Sequence, residues 1–364
     1  MNPKVAARQA RLLQMLENGD EIRIGRERDC PLPLAQLTRL TEDHPDVVKV
    51  YGHGLTAEVF HLKVEGHHWC LKRCRPDSLV ANVDGKTAFL TELERRREIE
   101  SLRELHPTIL SNVVCTSFGS ARAGVLVSPW LRGDPVRRLN ERNLAQMLAV
   151  EAELARWGWF DWDPSPGNLL DDGQQISVFD FGYMWPFDPL HEFNSNGLTD
   201  PEFHVPERLE TRTLSGLWLD DADPLPLFRH WRGLCLAWAK GELQYLSREG
   251  ASAPVLARMQ GLVGEWSAAL ASEQALAANW WRDMYRSHRL DIADDLSGKS
   301  CGPMTLRRLD WLEQAVREHF PALVDNLAPD EAGLGQAGLL QRLGGLREQI
   351  RANLLPTRAT LVTS

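Results

Sequence analysis

Hydrophobic periodicity changes once along this chain, and that change constrains the fold more than any other feature. Between Val47 and about Arg73 the apolar residues come in short runs broken by glycine, VVKVYGHG, EVFHLKVEG and HWCLKRC, each the length of a strand. From Lys86 to Leu105 the spacing is helical, with Leu93, Ile99, Leu102 and Leu105 on one stripe of a highly charged segment. Two strand-like runs follow, Val113–Phe118 and Gly124–Ser128, and then a helix over Arg142–Trp157. A Pro-, Gly- and Asp-rich loop (161–173) precedes a short strand at Ile176–Phe179. The stretch 184–226 carries Pro, Asp, Asn and Gly so often that it reads as extended loop, and from Leu227 to Leu355 nearly everything is helical by period. Residues 4–18 form a further short helix, with Leu12, Leu13 and Leu16 on one stripe. The pattern predicts an α+β chain with a small β-rich lobe, a connector near Ser128–Gly133 and a larger α-rich lobe. The expected divisions are a partly helical extension over 1–45, a first lobe over 46–127 and a second over 128–364.

Composition removes several alternatives. Apolar residues make up 43% of the 364 and charged residues 25%, which supports a buried core and excludes a disordered chain. The 41 Lys and Arg against 50 Asp and Glu give a net charge of −9 with no long basic block, so sequence-independent nucleic-acid binding is not expected. Six cysteines without a C-x-x-C pair read as reduced thiols. His67, His68, Cys70 and Cys74 can ligate metal, but strand alternation points neighbours to opposite faces. No window holds 18 uninterrupted apolar residues, and Met1–Glu27 lacks a signal-type apolar core, so the expectation is a soluble cytoplasmic protein without a membrane span.

The chemistry-bearing residues fall in one order. Gly52 and Gly54 lie between the first two strands, where a backbone without Cβ can approach phosphates. Lys72, one strand later, can reach phosphate oxygens, and Glu98 on the following helix is expected to hold it, in preference to Glu94. Asp161-Trp162-Asp163-Pro164-Ser165-Pro166-Gly167-Asn168-Leu169-Leu170 is followed, twelve residues after Asn168, by Asp180-Phe181-Gly182. Phosphoryl transfer needs carboxylate and amide oxygens around Mg²⁺ and a carboxylate to orient or deprotonate the accepting hydroxyl, and this loop supplies both.

In these residues the chain resembles the protein-kinase-like superfamily, over roughly Val47 to Asn194. Asp188-Pro189, eight residues after Asp180, is similar to the aminoglycoside and choline phosphotransferase branch. The Glu98 helix and His204-Val205-Pro206-Glu207-Arg208 look more like a protein kinase, whose activation segment ends in A-P-E. The resemblance implies a bilobal fold with a small antiparallel-sheet lobe carrying one long helix and a larger helical lobe. It further implies Asp163 as catalytic base, Asn168 and Asp180 as Mg²⁺ ligands, and Lys72, held by Glu98, on the ATP phosphates. Gly52, Gly54, Ala57 and Val59 are implied along the nucleotide, with Val127, Ser128 and Trp130 in the adenine-contacting connector. Ala57 stands where the third glycine usually is, Asp161 replaces the usual loop histidine, and Trp162 replaces a small or basic residue.

The implied activity is an ATP- and Mg²⁺-dependent phosphotransferase acting on a hydroxyl of a small molecule or a protein. Alternatives are a protein Ser/Thr kinase, an AMP-transferring enzyme, and a catalytically silent nucleotide-binding scaffold. Of the thirteen tryptophans, those at 218, 231, 238, 266, 280, 281 and 311 read as helix packing, while Trp157, Trp159, Trp162 and Trp185 flank the loop where an acceptor would bind and could wall its pocket, with core packing the favoured role for any one of them.

Overall fold

The structure is a computed structural model that describes residues 2–52, 54–324 and 327–355. The chain packs as two compact units, one of Met1–Pro135, Trp159–Asp163 and Gly167–Pro186, the other of Val136–Gly158, Pro164–Pro166 and Phe187–Ser364.

The first unit opens with helix α1 (Pro3–Asn18), strand β1 (Arg23–Gly25) and the single turn α2 (Leu34–Leu37). Strands β2 (Val47–Tyr51), β3 (Ala57–Val64) and β4 (His67–Cys74) follow, then the long helix α3 (Val83–Leu105) and strands β5 (Phe118–Ser120) and β6 (Val125–Pro129). These six strands form one sheet in the order β1-β5-β6-β4-β3-β2, antiparallel at every pairing. The β3–β4 connection is a two-residue turn with both φ angles positive, Glu65 at 50° and Gly66 at 83°, which matches the twist of the strands it joins.

Alternation along these strands gives the sheet two apolar faces. One carries Phe60, Leu62, Leu71, Phe118, Val125 and Val127, packed with Leu37 and Leu40. The other presents Ile24 and Leu126 to Phe89, Leu90 and Leu93 of α3 and Leu12 of α1. Residues of the expected extension therefore belong to this core: Leu12 is fully buried, and Arg11 makes two hydrogen bonds to Glu94 at 2.6 and 2.8 Å.

Five short strands complete the unit: β7 (Asp134–Pro135), β8 (Trp159–Asp161), β9 (Leu169–Asp171), β10 (Ile176–Val178) and β11 (Met184–Pro186). They pair as β10-β9-β7 and β11-β8, and Trp185 of β11 enters the α1–α3 core. The strand expected over Val113–Phe118 starts only at Phe118. Its first part pairs elsewhere, the Val114 N–H donating to Val178 and the Val178 N–H to Asn112.

The second unit is helical, with α4 (Glu141–Arg156), α5 (Val205–Leu209), α6 (Ser215–Trp218), α7 (Leu225–Arg248) and α8 (Ala253–Ala269). Helices α9 (Glu273–Gly298), α10 (Pro303–Leu323) and α11 (Gly335–Ala352) complete it. Tyr285, Ile292, Leu309, Leu312, Leu339 and Leu343 form the core of the last three. The reading of 184–226 as extended loop is corrected by β11, α5, a π-helical turn at Glu210–Leu214 and α6. The helical stretch escapes periodicity because its buried positions are largely polar, including Glu207, Arg208, Glu210, Thr211, Thr213 and Ser215. Glu207, in the segment resembling A-P-E, makes two hydrogen bonds with Arg208 and accepts one from the Thr211 hydroxyl. The six cysteines are free thiols, and among the described residues no helix is long and apolar enough to cross a membrane.

Candidate functional site

Every residue the sequence assigns to nucleotide, metal or base lies in the first unit. Lys72 stands on β4, on the same face as Cys70, because side chains two apart share a face. Leu71 and Arg73 point the other way, and Leu71 anchors the strand in the core. Lys72 Nζ donates to Asp180 Oδ2 at 2.8 Å and forms a second ion pair with Glu92 Oε2.

That partner corrects the expectation of Glu98. An α-helix turns about 100° per residue, so six residues place Glu98 about 120° around α3 from Glu92. Glu98 instead accepts from Arg95 at 2.7 Å and from the indole N–H of Trp159 at 2.9 Å, with its side chain 39% exposed. Glu92, fully buried, divides its carboxylate: one oxygen takes Lys72 and the other takes the Arg96 guanidinium at 2.9 and 3.2 Å. The legible signal was the pair Glu92 and Arg96, four apart and sharing a face with Phe89 and Leu93.

Burial works against the charge of Lys72, but Asp180 and Glu92 outweigh it and raise the lysine above its ordinary value. Asp180 is the mirror case. Burial pushes its carboxyl up, and the attraction of Lys72 together with the Gly182 N–H at 3.2 Å holds it below the usual carboxylate range. Lys72 and Asp180 therefore both carry their charge at neutral pH.

Asp180 reaches this position through the β9–β10 hairpin. Its turn is set by Asp172, whose side chain accepts from the N–H groups of Gln174 and Gln175 at 2.8 and 2.7 Å. The register ends with Leu169 opposite Val178, so Asn168 and Phe179 leave the same end of the hairpin and Asp180 follows. The Asn168 amide N–H donates to the Asp163 carbonyl at 3.0 Å, closing the loop between them and orienting its own carbonyl oxygen. Asp161 Oδ1 accepts the Asp163 N–H at 2.9 Å, so an aspartate shapes the loop where the resembling family carries histidine. The loop's start is fixed by β8 pairing with β11 and by the Trp162 N–H donating to Tyr183 at 3.1 Å.

The glycine turn is fixed from below. Arg75 donates to the carbonyl of Gly54 at 2.9 Å and to that of Gly52 at 2.5 Å. A Cβ on Gly54 would lie 2.3 Å from the Ala57 carbonyl oxygen, so glycine is required there, whereas Gly52 has open space around the same position. Ala57 and Val59 follow on β3, with Val59 directly opposite Lys72.

The connector departs from expectation at one residue. Val127 pairs with Leu71 and turns its side chain into the opposite core with Phe60, so only its backbone borders the Lys72 face. Ser128, opposite Cys70, lies on that face. The Trp130 N–H is used by the His68 carbonyl at 3.0 Å, and its ring stacks on His61 with centroids 3.9 Å apart. Trp159 and Trp185 take the packing role rather than that of acceptor walls: both are buried on paired strands, and Trp185 lies under the Arg8 guanidinium.

No protein-family model matches the chain, and no curated protein matches its sequence. Solved structures with partial likeness include the BubR1 kinase domain, at 20% identity over 39% of this chain and 47% of that one, with a TM-score of 0.29. The Rv3197–erythromycin complex from Mycobacterium tuberculosis is matched at 16% identity over 43% and 53%, with a TM-score of 0.29. WbdD in complex with a kinase inhibitor is matched at 13% identity over 64% and 49%, with a TM-score of 0.35. The chain spans about half the length of each of these solved chains. Likeness at these values extends to no activity.

Proposed function

We propose that this chain is an ATP- and Mg²⁺-dependent phosphotransferase that acts on a hydroxyl acceptor. The observation that carries the reading is the ion-paired cluster of Lys72, Glu92 and Asp180 in the same unit as the hydrogen-bonded Asp163 and Asn168. Lys72 is kept charged and aimed, which suits it to hold phosphate oxygens, and the glycine turn pinned by Arg75 leaves backbone beside it. Asp163 would orient the acceptor hydroxyl and take its proton, as phosphoryl transfer requires of a positioned carboxylate.

The donor set fits Mg²⁺. Asp180 and the Asn168 carbonyl are hard oxygen ligands, and among the described residues no group of three or more His, Cys, Asp or Glu forms an all-protein cage. That is the pattern of an ion held by one carboxylate, one amide and substrate phosphates, and when bound it neutralises phosphate charge.

The test uses the full chain with ATP and Mg²⁺. Asp163→Asn and Asp180→Ala should each lower ATP turnover by at least about 100-fold, and undiminished turnover in both would end the reading. Mass spectrometry of protein and acceptor mixtures then separates outcomes. A phosphoryl-sized addition to the chain or to an added protein identifies a protein kinase, and an adenylyl-sized addition identifies AMP transfer.

A further inference from the structure

Arg96 is 3% exposed and spends its guanidinium on three different elements of the first unit. Nε and Nη2 donate to Glu92 Oε1 at 3.2 and 2.9 Å. Nη2 also donates to the carbonyl of Phe179, the residue immediately before Asp180, and Nη1 to the Thr116 hydroxyl at 3.3 Å. Its Cζ lies 5.1 Å from the centre of the ring of Phe181, the residue immediately after Asp180. Two cations, Lys72 and Arg96, thus balance two carboxylates, Glu92 and Asp180, and the second cation also holds the backbone carbonyl before the metal-binding aspartate and the aromatic ring after it.

We propose that Arg96 is a positioning residue that couples the Lys72–Glu92 pair to the Asp180-Phe181-Gly182 turn, so that the phosphate-holding lysine and the metal-holding carboxylate are set together. The proposal rests on the phosphotransferase reading of the same site. Its physical basis is the planar fork of arginine. Lysine in its place supplies the charge but only one nitrogen, which cannot serve Glu92, Phe179 and Thr116 at once. Methionine fills similar volume and leaves Glu92 and Asp180 with one cation between them. Arg96 touches none of the groups assigned to react, so its effect passes through Glu92 and through the Phe179 peptide.

The experiment measures the affinity of the full-length protein for the non-hydrolysable imido analogue of ATP by calorimetry, with and without Mg²⁺, alongside thermal unfolding. In the wild type Mg²⁺ should tighten binding, and Asp180→Ala should remove that gain. Arg96→Met should unfold cooperatively yet lose about 10–100-fold of the Mg²⁺-dependent gain, the range typical when a partner that orients a metal ligand is removed. Arg96→Lys should fall between. The double variant Arg96→Met with Asp180→Ala should be no worse than Asp180→Ala, because the arginine acts through that aspartate.

A wild-type Mg²⁺ gain in Arg96→Met overturns the proposal and leaves the phosphotransferase reading standing, as does a double variant whose losses multiply. If Arg96→Met does not fold, Arg96→Lys decides: an intermediate gain supports the coupling and a wild-type gain overturns it. A wild type that binds no nucleotide with Mg²⁺ overturns the phosphotransferase reading and the positioning role together.

Discussion

Two buried ionic networks, one in each unit, use the same side-chain chemistry to different ends. In the second unit Arg232 donates to Asn279 at 2.7 Å, Glu210 at 2.7 Å and Asp283 at 2.6 Å, drawing together α7, α9 and the π-helical turn. Trp231 and Arg286 add further donors to Glu210, and Arg282 adds one to Asp283. The side chains of Arg232, Glu210 and Asp283 are 1%, 3% and 4% exposed, so both carboxylates that Arg232 holds are shut away from solvent and only the flanking arginines Arg282 and Arg286, at 30% and 25%, reach it. In the first unit Lys72 and Glu92 are comparably buried, but the chain of charges ends on Asp180, whose side chain is 29% exposed. A closed network can specify packing and little else. A network with one carboxylate at its open end can exchange a protein cation for a ligand's metal ion.

Five substitutions break or sharpen this contrast. The largest effect is expected at the open site: Asp163→Asn should lower the phosphotransfer rate by about 10²–10⁴-fold, the usual contribution of a positioned acid–base group, with unfolding unchanged. Initial rates of ATP turnover and a denaturation curve check both halves.

Next comes the closed network. Arg232→Met should cost about 3–5 kcal/mol of stability, because it removes the one fully buried cation from Glu210 and Asp283 and leaves these buried carboxylates only the part-exposed Arg286 and Arg282. Lys72→Met should cost less, since Glu92 keeps Arg96 and Asp180 can turn to solvent, while nucleotide binding is lost. Urea titrations of the two variants that gave equal losses would contradict the distinction between closed and open networks.

A smaller effect concerns acid. Burial raises the Asp283 carboxyl, but Arg232 and its arginine neighbours outweigh this and bring it from 3.8 to about 2. Its folded value lies below its unfolded one, so the stability it contributes is complete above 3.8 and is lost as the pH falls toward 2. Asp283→Asn should flatten that limb of the stability profile, read as the urea midpoint at successive pH values.

The smallest effect is local. Gly54→Ala must displace the Ala57 carbonyl or its own turn, since the added carbon falls 2.3 Å from that oxygen. The expected result is a raised KM for ATP with the melting temperature nearly unchanged.

The parts of the site that were legible in sequence are those built locally. Asp163 and Asn168 share one loop, and the hairpin that brings Asp180 beside Asn168 is made of adjacent segments, so order and spacing were enough. Glu92 was missed because α3 offers several carboxylates, those at 92, 94, 98 and 100 among them, and the Glu92–Arg96 spacing stands out only once Phe89 and Leu93 are known to face the core. Glu94 was considered for the same role and is taken instead by Arg11. The inward turn of Val127 depends on the register between β4 and β6, which a strand's own residues do not specify. The α+β arrangement followed from periodicity, except over 205–218, where buried polar residues erase the apolar stripe.

The docking of α1 carries a practical consequence for anyone handling this protein. Gln9 donates to Asp84 at 3.0 Å, Arg11 holds Glu94, and Leu12 is sealed against the helix that carries Glu92. Trimming the chain to begin at the first strand of the glycine turn would strip the backing from that helix and leave the Glu94 carboxylate only its longer pairing with Arg95, at 3.6 Å. An affinity tag fused ahead of Pro3 would hang from the same brace, so losses of activity in trimmed or tagged preparations should first be traced to this remote support.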